Sequence, residues 1–316
     1  IVRYVYQNSR FYREKFNKAG IRPSDIKRLA DVAKIPFTTK AEVRENYPYG
    51  MLISPLTKIR FANFTSGTTG MQTAMFFTDK DFNILVECLC RGMYSVGTRK
   101  GDIVQMPIGA LWGPILLVPA VVKLGAFALF TGAGNTKGQV TKLKTLKTTV
   151  IQAVPSYLLH MATIANEMGI NSRETSLRLA ILVGERVTPV VRQKIEQEWN
   201  VTAYDHYGTV EQSAGFFECE ERMGHHIHAD HFLIESVDPN TGEVFEDEGI
   251  GEIVITTLTR EGMPLVRFRT RDISHLIRDR CNCGRTHPRI GPIEGRLDDV
   301  VKIKGISVPL CQIENT

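Results

Sequence analysis

No stretch of this 316-residue chain stays apolar for the roughly 18 residues that a membrane-spanning helix needs. The richest run, 115–130, is interrupted by Pro119, Lys123 and Gly125, and reads as a buried helix running into a strand. There is no initiator Met and no signal-like start, because Ile1-Val2-Arg3-Tyr4 opens directly into an amphipathic pattern. The chain stops at Ile313-Glu314-Asn315-Thr316 with no closing element, so both ends are expected to belong to a longer protein. Internal repeats and low-complexity segments are absent. Cysteine is scarce, six in all, and without secretory features this argues for a reducing cytosol and for thiols that are buried or metal-bound. Charge of one sign does not dominate: 39 basic against 34 acidic residues leave +5. The basic clusters at 137–147 and 267–285 carry no run of interleaved stacking aromatics, only Phe268, so the balance suits an anionic small ligand as well as nucleic acid. What remains, 43% hydrophobic and 23% charged, is an ordinary globular composition with material for more than one lobe.

The first fifty residues show helical spacing of Tyr4, Tyr6, Phe11, Tyr12 and Phe16. Pro23-Ser24-Asp25 offers a helix start before Ile26 and Leu29, and Thr38-Thr39-Lys40-Ala41-Glu42 offers a second cap. From about residue 59, short apolar strands (103–106, 126–130, 149–153, 179–183, 202–204) alternate with helical patterns such as 155–167 and 189–199. That alternation predicts a largely parallel sheet covered by helices. After about residue 215 the texture is mostly β, with strands expected at 232–237, 251–258 and 265–268 and a hairpin turn at Asn240-Thr241-Gly242-Glu243. The fold class is therefore α/β, an α/β body with a β-rich lobe behind it.

Hydroxyls interleaved with glycine distinguish Thr65-Ser66-Gly67-Thr68-Thr69-Gly70, entered through Ile59, Phe61 and Phe64 and left through Met75-Phe76-Phe77. Glycine lets backbone N–H groups converge and the hydroxyls add donors, so the loop can wrap a polyphosphate. The same residues also make ordinary hairpin turns. No Gly-Lys-Ser/Thr ends the loop, which counts strongly against a P-loop NTPase. A second segment, Tyr204-Asp205-His206-Tyr207-Gly208-Thr209-Val210-Glu211, ends a strand and turns at glycine to present a hydroxyl and a carboxylate. A tyrosine face can stack on a purine, and a carboxylate there can hold Mg²⁺ against phosphate oxygens. In the third, Arg267-Phe268-Arg269-Thr270-Arg271-Asp272, an acid among arginines can accept hydrogen bonds from both ribose hydroxyls. The fourth is Gly295-Arg296-Leu297-Asp298-Asp299-Val300, followed by Lys302-Ile303-Lys304-Gly305. Each alone also reads as a strand-end turn, a surface ion pair or a charged hairpin.

In this order and at these separations the four segments resemble the adenylate-forming enzyme superfamily. Ala180-Ile181-Leu182-Val183-Gly184-Glu185 is similar to the strand and turn that flank its adenine pocket, and the run from Asp298 to Pro309 resembles the phenylacetate–CoA ligase branch. The resemblance covers the chain from Phe11 onward. It implies a large N-terminal adenylate-forming domain: a helical segment at 1–58, an α/β nucleotide- and acyl-binding core at 59–214, a β-rich lobe at 215–297, and at 298–316 a hinge and the start of a truncated C-terminal domain. It also implies a two-step reaction. A carboxylate attacks the α-phosphate of ATP, giving an acyl-adenylate and pyrophosphate, and the CoA thiol then displaces AMP. Because the first barrier is charge crowding on phosphate, the protein must supply donors, a metal and in-line positioning.

Carried onto this chain, the resemblance has Thr65, Ser66, Gly67, Thr68, Thr69 and Gly70 hold phosphates, and Glu185, Arg186, Asp205, His206 and Tyr207 line the adenine site. Thr209 contacts the α-phosphate, Glu211 binds Mg²⁺, Asp272 with Arg296 serves the ribose, and Asp298 is the hinge. Met71 departs from the pattern, since a lysine commonly follows the last loop glycine. The family's catalytic lysine lies in the smaller C-terminal domain, so this chain is expected to bind ATP or AMP but to turn over poorly. The expected partners are a small carboxylic acid, ATP and CoA, with a homodimer compatible and neither nucleic acid nor membrane involved.

Cys281-Asn282-Cys283-Gly284 is a tight thiolate pair, and Cys219 is followed by His225, His226 and His228. Cysteines and a histidine from two loops suit a closed, structural Zn²⁺ site; the alternative is buried thiols beside a solvated histidine cluster. Some relatives of the family carry a similar constellation, and its spacing selects His226, with His225 in reserve. Cys88 and Cys90 fall in an apolar helical stretch and read as core. The acyl pocket is implied in part by residues 107–114, where Trp112 is the large ring; a phenylacetate-like aryl acid is the first expectation. Alternatives are another acyl substrate or acceptor, or a zinc-stabilised nucleic-acid-binding module.

Overall fold

The computed structural model describes residues 1–65, 72–109, 114–246, 249–298, 300–303 and 306–309. Two short helices open the chain, α1 (Val2–Asn8) and α2 (Arg10–Lys18). The Ser9 side chain caps α2 by accepting from Tyr12 N at 3.3 Å, and Tyr12 and Phe16 are buried. The helix expected to start at Pro23 is only a pair of 3₁₀ turns, Pro23–Asp25 and Leu29–Lys34. Leu29 remains exposed there, so no apolar stripe is available to extend the turns. The second cap forms as expected. In α3 (Lys40–Glu45), Thr39 Oγ1 accepts from Glu42 N and the Glu42 carboxylate accepts from Thr39 N at 2.8 Å.

The strands in chain order are β1 (Ile59–Phe64), β2 (Ala74–Thr78), β3 (Ile103–Met106), β4 (Phe127–Phe130), β5 (Val150–Ala153), β6 (Leu179–Val183) and β7 (Thr202–Tyr207). They continue with β8 (Phe216–Phe217), β9 (His225–His226), β10 (Phe232–Val237), β11 (Gly251–Thr257), β12 (Phe268–Ser274), β13 (Leu276–Ile277), β14 (Arg289–Ile290) and β15 (Gly295–Arg296). Last come β16 (Val300–Ile303) and β17 (Ile306–Pro309), an antiparallel pair. Between strands run α4 (Asp79–Ser95), α5 (Pro114–Lys123), α6 (Thr136–Thr145), α7 (Pro155–Glu167) and α8 (Pro189–Trp199).

One nine-stranded sheet has the order β13-β14-β9-β8-β7-β6-β5-β3-β4. From β7 to β4 every pairing is parallel; from β7 outward to β13 every pairing is antiparallel. Parallel strands buried on both faces must be apolar at odd and even positions alike. In β6, Leu179 and Ile181 join the core that includes Leu85, Leu89 and Val121 of α4 and α5, whereas Ala180 and Leu182 join the core that includes Leu143, Leu158 and Ile195 of α6, α7 and α8. The strands from β8 to β15 are divided between this sheet and a separate antiparallel one, β10-β11-β12-β15. The strand expected at 265–268 lies later, at β12. Arg267 adopts a left-handed backbone (φ 47°), and Leu265 is spent on a local bond from Thr257 N at 2.8 Å, so extended pairing starts at Phe268. The turn at 240–243 forms on Asp238, whose Oδ1 accepts from Asn240 N and Thr241 N. Cys88 is core, Cys90 is half-buried, and Cys311 lies outside the described residues.

Candidate active site and metal centre

The β1–β2 hairpin carries the hydroxyl-rich loop. At its base Thr65 and Thr73 are stitched three ways: Thr65 N to Thr73 O at 3.1 Å, Thr73 N to Thr65 Oγ1 at 3.0 Å, and hydroxyl to hydroxyl at 3.2 Å. Ser66, Gly67, Thr68, Thr69 and Gly70 lie outside the described residues, as does Trp112. Asn63 donates to Ser213 Oγ at 3.0 Å, which joins the hairpin to the turn after β7. In that turn Thr209 Oγ1 accepts from Gln212 N at 3.2 Å, and Ser213 is held left-handed (φ 57°). Buried Arg260 lies with its guanidinium 4.9 Å from the Phe77 ring centroid and donates to the carbonyls of Glu211 and Gln212. The turn is therefore held from both sides.

Glu211 is buried, and its Oε1 lies 3.2 Å from Lys40 Nζ without an aligned hydrogen bond. Lys40 reaches it because Thr38 bridges the start of β12, donating to Arg267 O at 2.8 Å and accepting from Arg269 N at 2.9 Å. Sequence reasoning passed over Lys40. Its local pattern is only the first turn of a capped helix, and its neighbour is 171 residues away in sequence.

Asp272 is also buried. Its Oδ2 accepts from Tyr207 OH at 2.7 Å and its Oδ1 from Arg296, which forks onward to both Asp298 oxygens at 2.9 and 3.1 Å. Burial pushes the Asp272 carboxyl up to about 6, against the pull of Arg296 and Tyr207; the nearby Glu211 charge adds to the rise. Burial also raises the Tyr207 phenol. For Asp298, burial works upward but the Arg296 fork outweighs it and holds the carboxyl below its ordinary range. Two arginines of the 267–272 segment are structural: Arg267 donates to Glu235 at 3.0 Å and to the carbonyls of Ala33 and Ile35, and Arg269 donates to Glu252 at 2.7 Å.

The remaining expected adenine-site residues are engaged with the scaffold. Glu185 accepts from Ser156 N at 3.0 Å and Ser156 Oγ at 2.7 Å, capping α7, and Arg186 pairs with Glu294 at 3.5 Å. His206 stacks on Phe217 (4.0 Å between centroids, 13° between planes), and its Nδ1 lies 3.0 Å from Gln152 Nε2. Burial lowers it to about 3, so it is a neutral core histidine. A Cβ at Gly215 would fall 1.8 Å from His206 Nε2, so this close approach requires glycine. The Asp205 carboxylate faces His225 Nε2 at 3.0 Å.

Cys219, His226, Cys281 and Cys283 converge, with one ligand atom from each lying within 4.8 Å of every other. Sγ of Cys219 and Cys281 are 3.7 Å apart, and His226 Nε2 lies 3.4 Å from Cys219 Sγ and 3.5 Å from Cys283 Sγ. Tetrahedral Zn²⁺ with Zn–S of about 2.3 Å and Zn–N of about 2.05 Å requires separations of about 3.8 and 3.6 Å, so the donor set fits that ion. Arg285 donates to Cys283 Sγ at 3.2 Å. His225, the reserve ligand, turns away towards Asp205 and Ile290 O.

The sheet, the hairpin and the carboxylate network can be set beside known proteins. The AMP-binding enzyme family matches residues 18–259. The phenylacetate–coenzyme A ligase of Thermus thermophilus is 36% identical over 319 residues, covering 99% of this chain and 72% of that protein. The Escherichia coli (strain K12) phenylacetate–coenzyme A ligase is 32% identical, with the same coverage of each. Among solved structures, 2-hydroxyisobutyryl-CoA ligase in the postadenylation state in complex with R3-HIB-AMP superposes with a TM-score of 0.91 at 28% identity, covering 99% of this chain and 69% of that one. Fold, site and likenesses define an AMP-forming acid–CoA ligase. Within that class, the chain belongs to the phenylacetate–coenzyme A ligase family.

Proposed function

We propose that the chain serves ATP-dependent activation of an aryl acid of the phenylacetate type, first to an acyl-adenylate and then to its CoA thioester. The observation that carries this reading is the meeting of Glu211, Lys40, Asp272, Tyr207 and Arg296 at one site, beside the base of the hydroxyl-rich hairpin. Adenylation crowds negative charge on phosphate, so it is favoured by fixed donors and cations that need no rearrangement. Thr209, at the turn held by Asn63 and Arg260, contacts the α-phosphate in this reading. The buried, poorly satisfied Oε1 of Glu211 suits Mg²⁺, which when bound would neutralise phosphate oxygens. Lys40 offers a second cation beside it. Asp272, oriented by Tyr207 and Arg296, accepts from the ribose hydroxyls, and Asp298 carries the hinge at the far end of the same network.

Cys219, His226, Cys281 and Cys283 hold a structural Zn²⁺ in this reading. All four positions are filled by protein, which leaves no place for substrate. Three thiolates and one neutral imidazole around Zn²⁺ sum to one negative charge, and Arg285 against Cys283 offsets it. Free thiolates of this kind suit a reducing cytosol.

Calorimetric titration of the chain with ATP and Mg²⁺, with and without phenylacetate, tests the assignment. Binding that Glu211→Ala and Asp272→Ala both weaken is the expected result. A folded wild-type chain that binds no nucleotide, or variants that bind as tightly as wild type, would overturn it.

A further inference from the structure

Asp205 is gripped twice. His225 Nε2 lies 3.0 Å from its Oδ2 as an ion pair without an aligned hydrogen bond, and Glu218 brackets its backbone, accepting from Asp205 N at 2.7 Å and donating its own N–H to Asp205 O at 3.2 Å. Each gripping residue immediately precedes a metal-centre ligand: Glu218 before Cys219, and His225 before His226. Both are nearly fully buried and otherwise satisfied. Arg192 forks onto the Glu218 carboxylate at 2.7 and 2.8 Å, and the His225 Nδ1 lies 3.3 Å from Ile290 O. Two residues along β7 from Asp205, on the same face, Tyr207 reaches Asp272.

We infer that the metal centre is a positioning device for the nucleotide site, acting through Glu218 and His225 on Asp205 and so on the Tyr207 phenol that orients Asp272. The inference rests on the zinc reading above. Its physical basis is the weakness of the local ladder. β8 and β9 are two residues each and share one residue pairing, Phe217 with His226, so the sheet is thinly laddered between β7 and β14. Ligation pins Cys219 and His226, and their chain neighbours cannot then move independently. Glu218 and His225 make the register of β7 follow the metal. Glu218 and His225 act through Asp205, so they are positioning residues.

The test combines zinc analysis of the purified chain with calorimetric titration of AMP and of 2′,3′-dideoxy-AMP, before chelation, after it, and after zinc is restored. The expected result is one zinc per chain and an AMP affinity that falls about tenfold on chelation, the loss of one well-oriented charge-assisted hydrogen bond, and recovers with zinc. Affinity for dideoxy-AMP, which lacks the hydroxyls that Asp272 would hold, does not fall further. His225→Leu keeps its zinc, shows the same loss for AMP, and loses little more on chelation. His225→Gln, which keeps a donor for Asp205, retains most of the affinity. Zinc loss that leaves AMP binding unchanged, or that weakens AMP and dideoxy-AMP alike, overturns the inference while the zinc reading stands. A chain that takes up no stoichiometric zinc removes the zinc reading, and the inference with it.

Discussion

Replacing Asp272 by asparagine separates folding from binding, because the two draw on this carboxylate with opposite sign. In the folded chain burial raises it to about 6, above the roughly 3.9 of an unfolded aspartate. Two units correspond to about 3 kcal/mol. This group's contribution to stability is therefore full below about pH 4 and declines by that amount as pH rises through about 6. Asp272→Asn relieves the penalty at neutral pH but takes a partner from Arg296. Arg296 is a third exposed and keeps Asp298, so the loss of about 3–5 kcal/mol expected for a broken buried pair shrinks to about 1–2 kcal/mol. The variant should melt at or slightly above the wild-type temperature at pH 7.5. The proposed ribose contact instead requires the ionised form, so AMP affinity should fall about tenfold or more in the variant. In wild type it should fall more steeply than in the variant as pH drops through about 6, because the AMP phosphate, which titrates in the same range, affects both proteins alike. Thermal melts with calorimetry at pH 5.5 and 7.5 decide the matter. Parallel pH profiles for the two proteins, or unchanged AMP affinity in the variant, would refute the reasoning.

Lys40→Met leaves the Glu211 carboxylate buried without its cation, and with Lys40 partly exposed the cost should be about 1–2 kcal/mol in urea denaturation. Adding Glu211→Gln should recover most of it, and additive losses in the double variant would show that the pair does not interact. Gly92→Ala should cost about 1–3 kcal/mol, since the new Cβ would fall 2.0 Å from Phe217 Cδ2 in a ring already stacked on His206; a neutral effect would mean that Phe217 can move.

Local chemistry explains which parts of the fold could be read in advance. The expected strands at 103–106 and 179–183 and helices at 155–167 and 189–199 coincide with β3, β6, α7 and α8, because each is a short apolar run or a proline-started periodic segment whose neighbours end it. The strand expected at 265–268 was displaced because one residue, Arg267, takes a left-handed backbone to send its guanidinium to Glu235 and to the carbonyls of Ala33 and Ile35. These partners lie far away in sequence, and no local pattern announces them. In the site, Glu211 and Asp272 were singled out by their motifs, and the choice of His226 to join the three cysteines came from the resemblance to relatives with a similar constellation. Lys40 and the His225–Asp205 pair had no such signal, since each is a contact between segments that are unremarkable on their own.

Residue order alone determined the layered α/β character, the hydroxyl-rich loop, the acids that follow β7 and sit in β12, and the cysteine pair, because periodicity, turn chemistry and donor type are properties of neighbouring residues. Only the tertiary structure decided that the strands from β8 to β15 split between two sheets, that His206 is a neutral core ring, that His225 faces Asp205, and that Lys40 faces Glu211. Those outcomes depend on which distant groups compete for the same buried partner. Burial makes every unpaired polar atom costly, so that competition is settled by the packed chain as a whole.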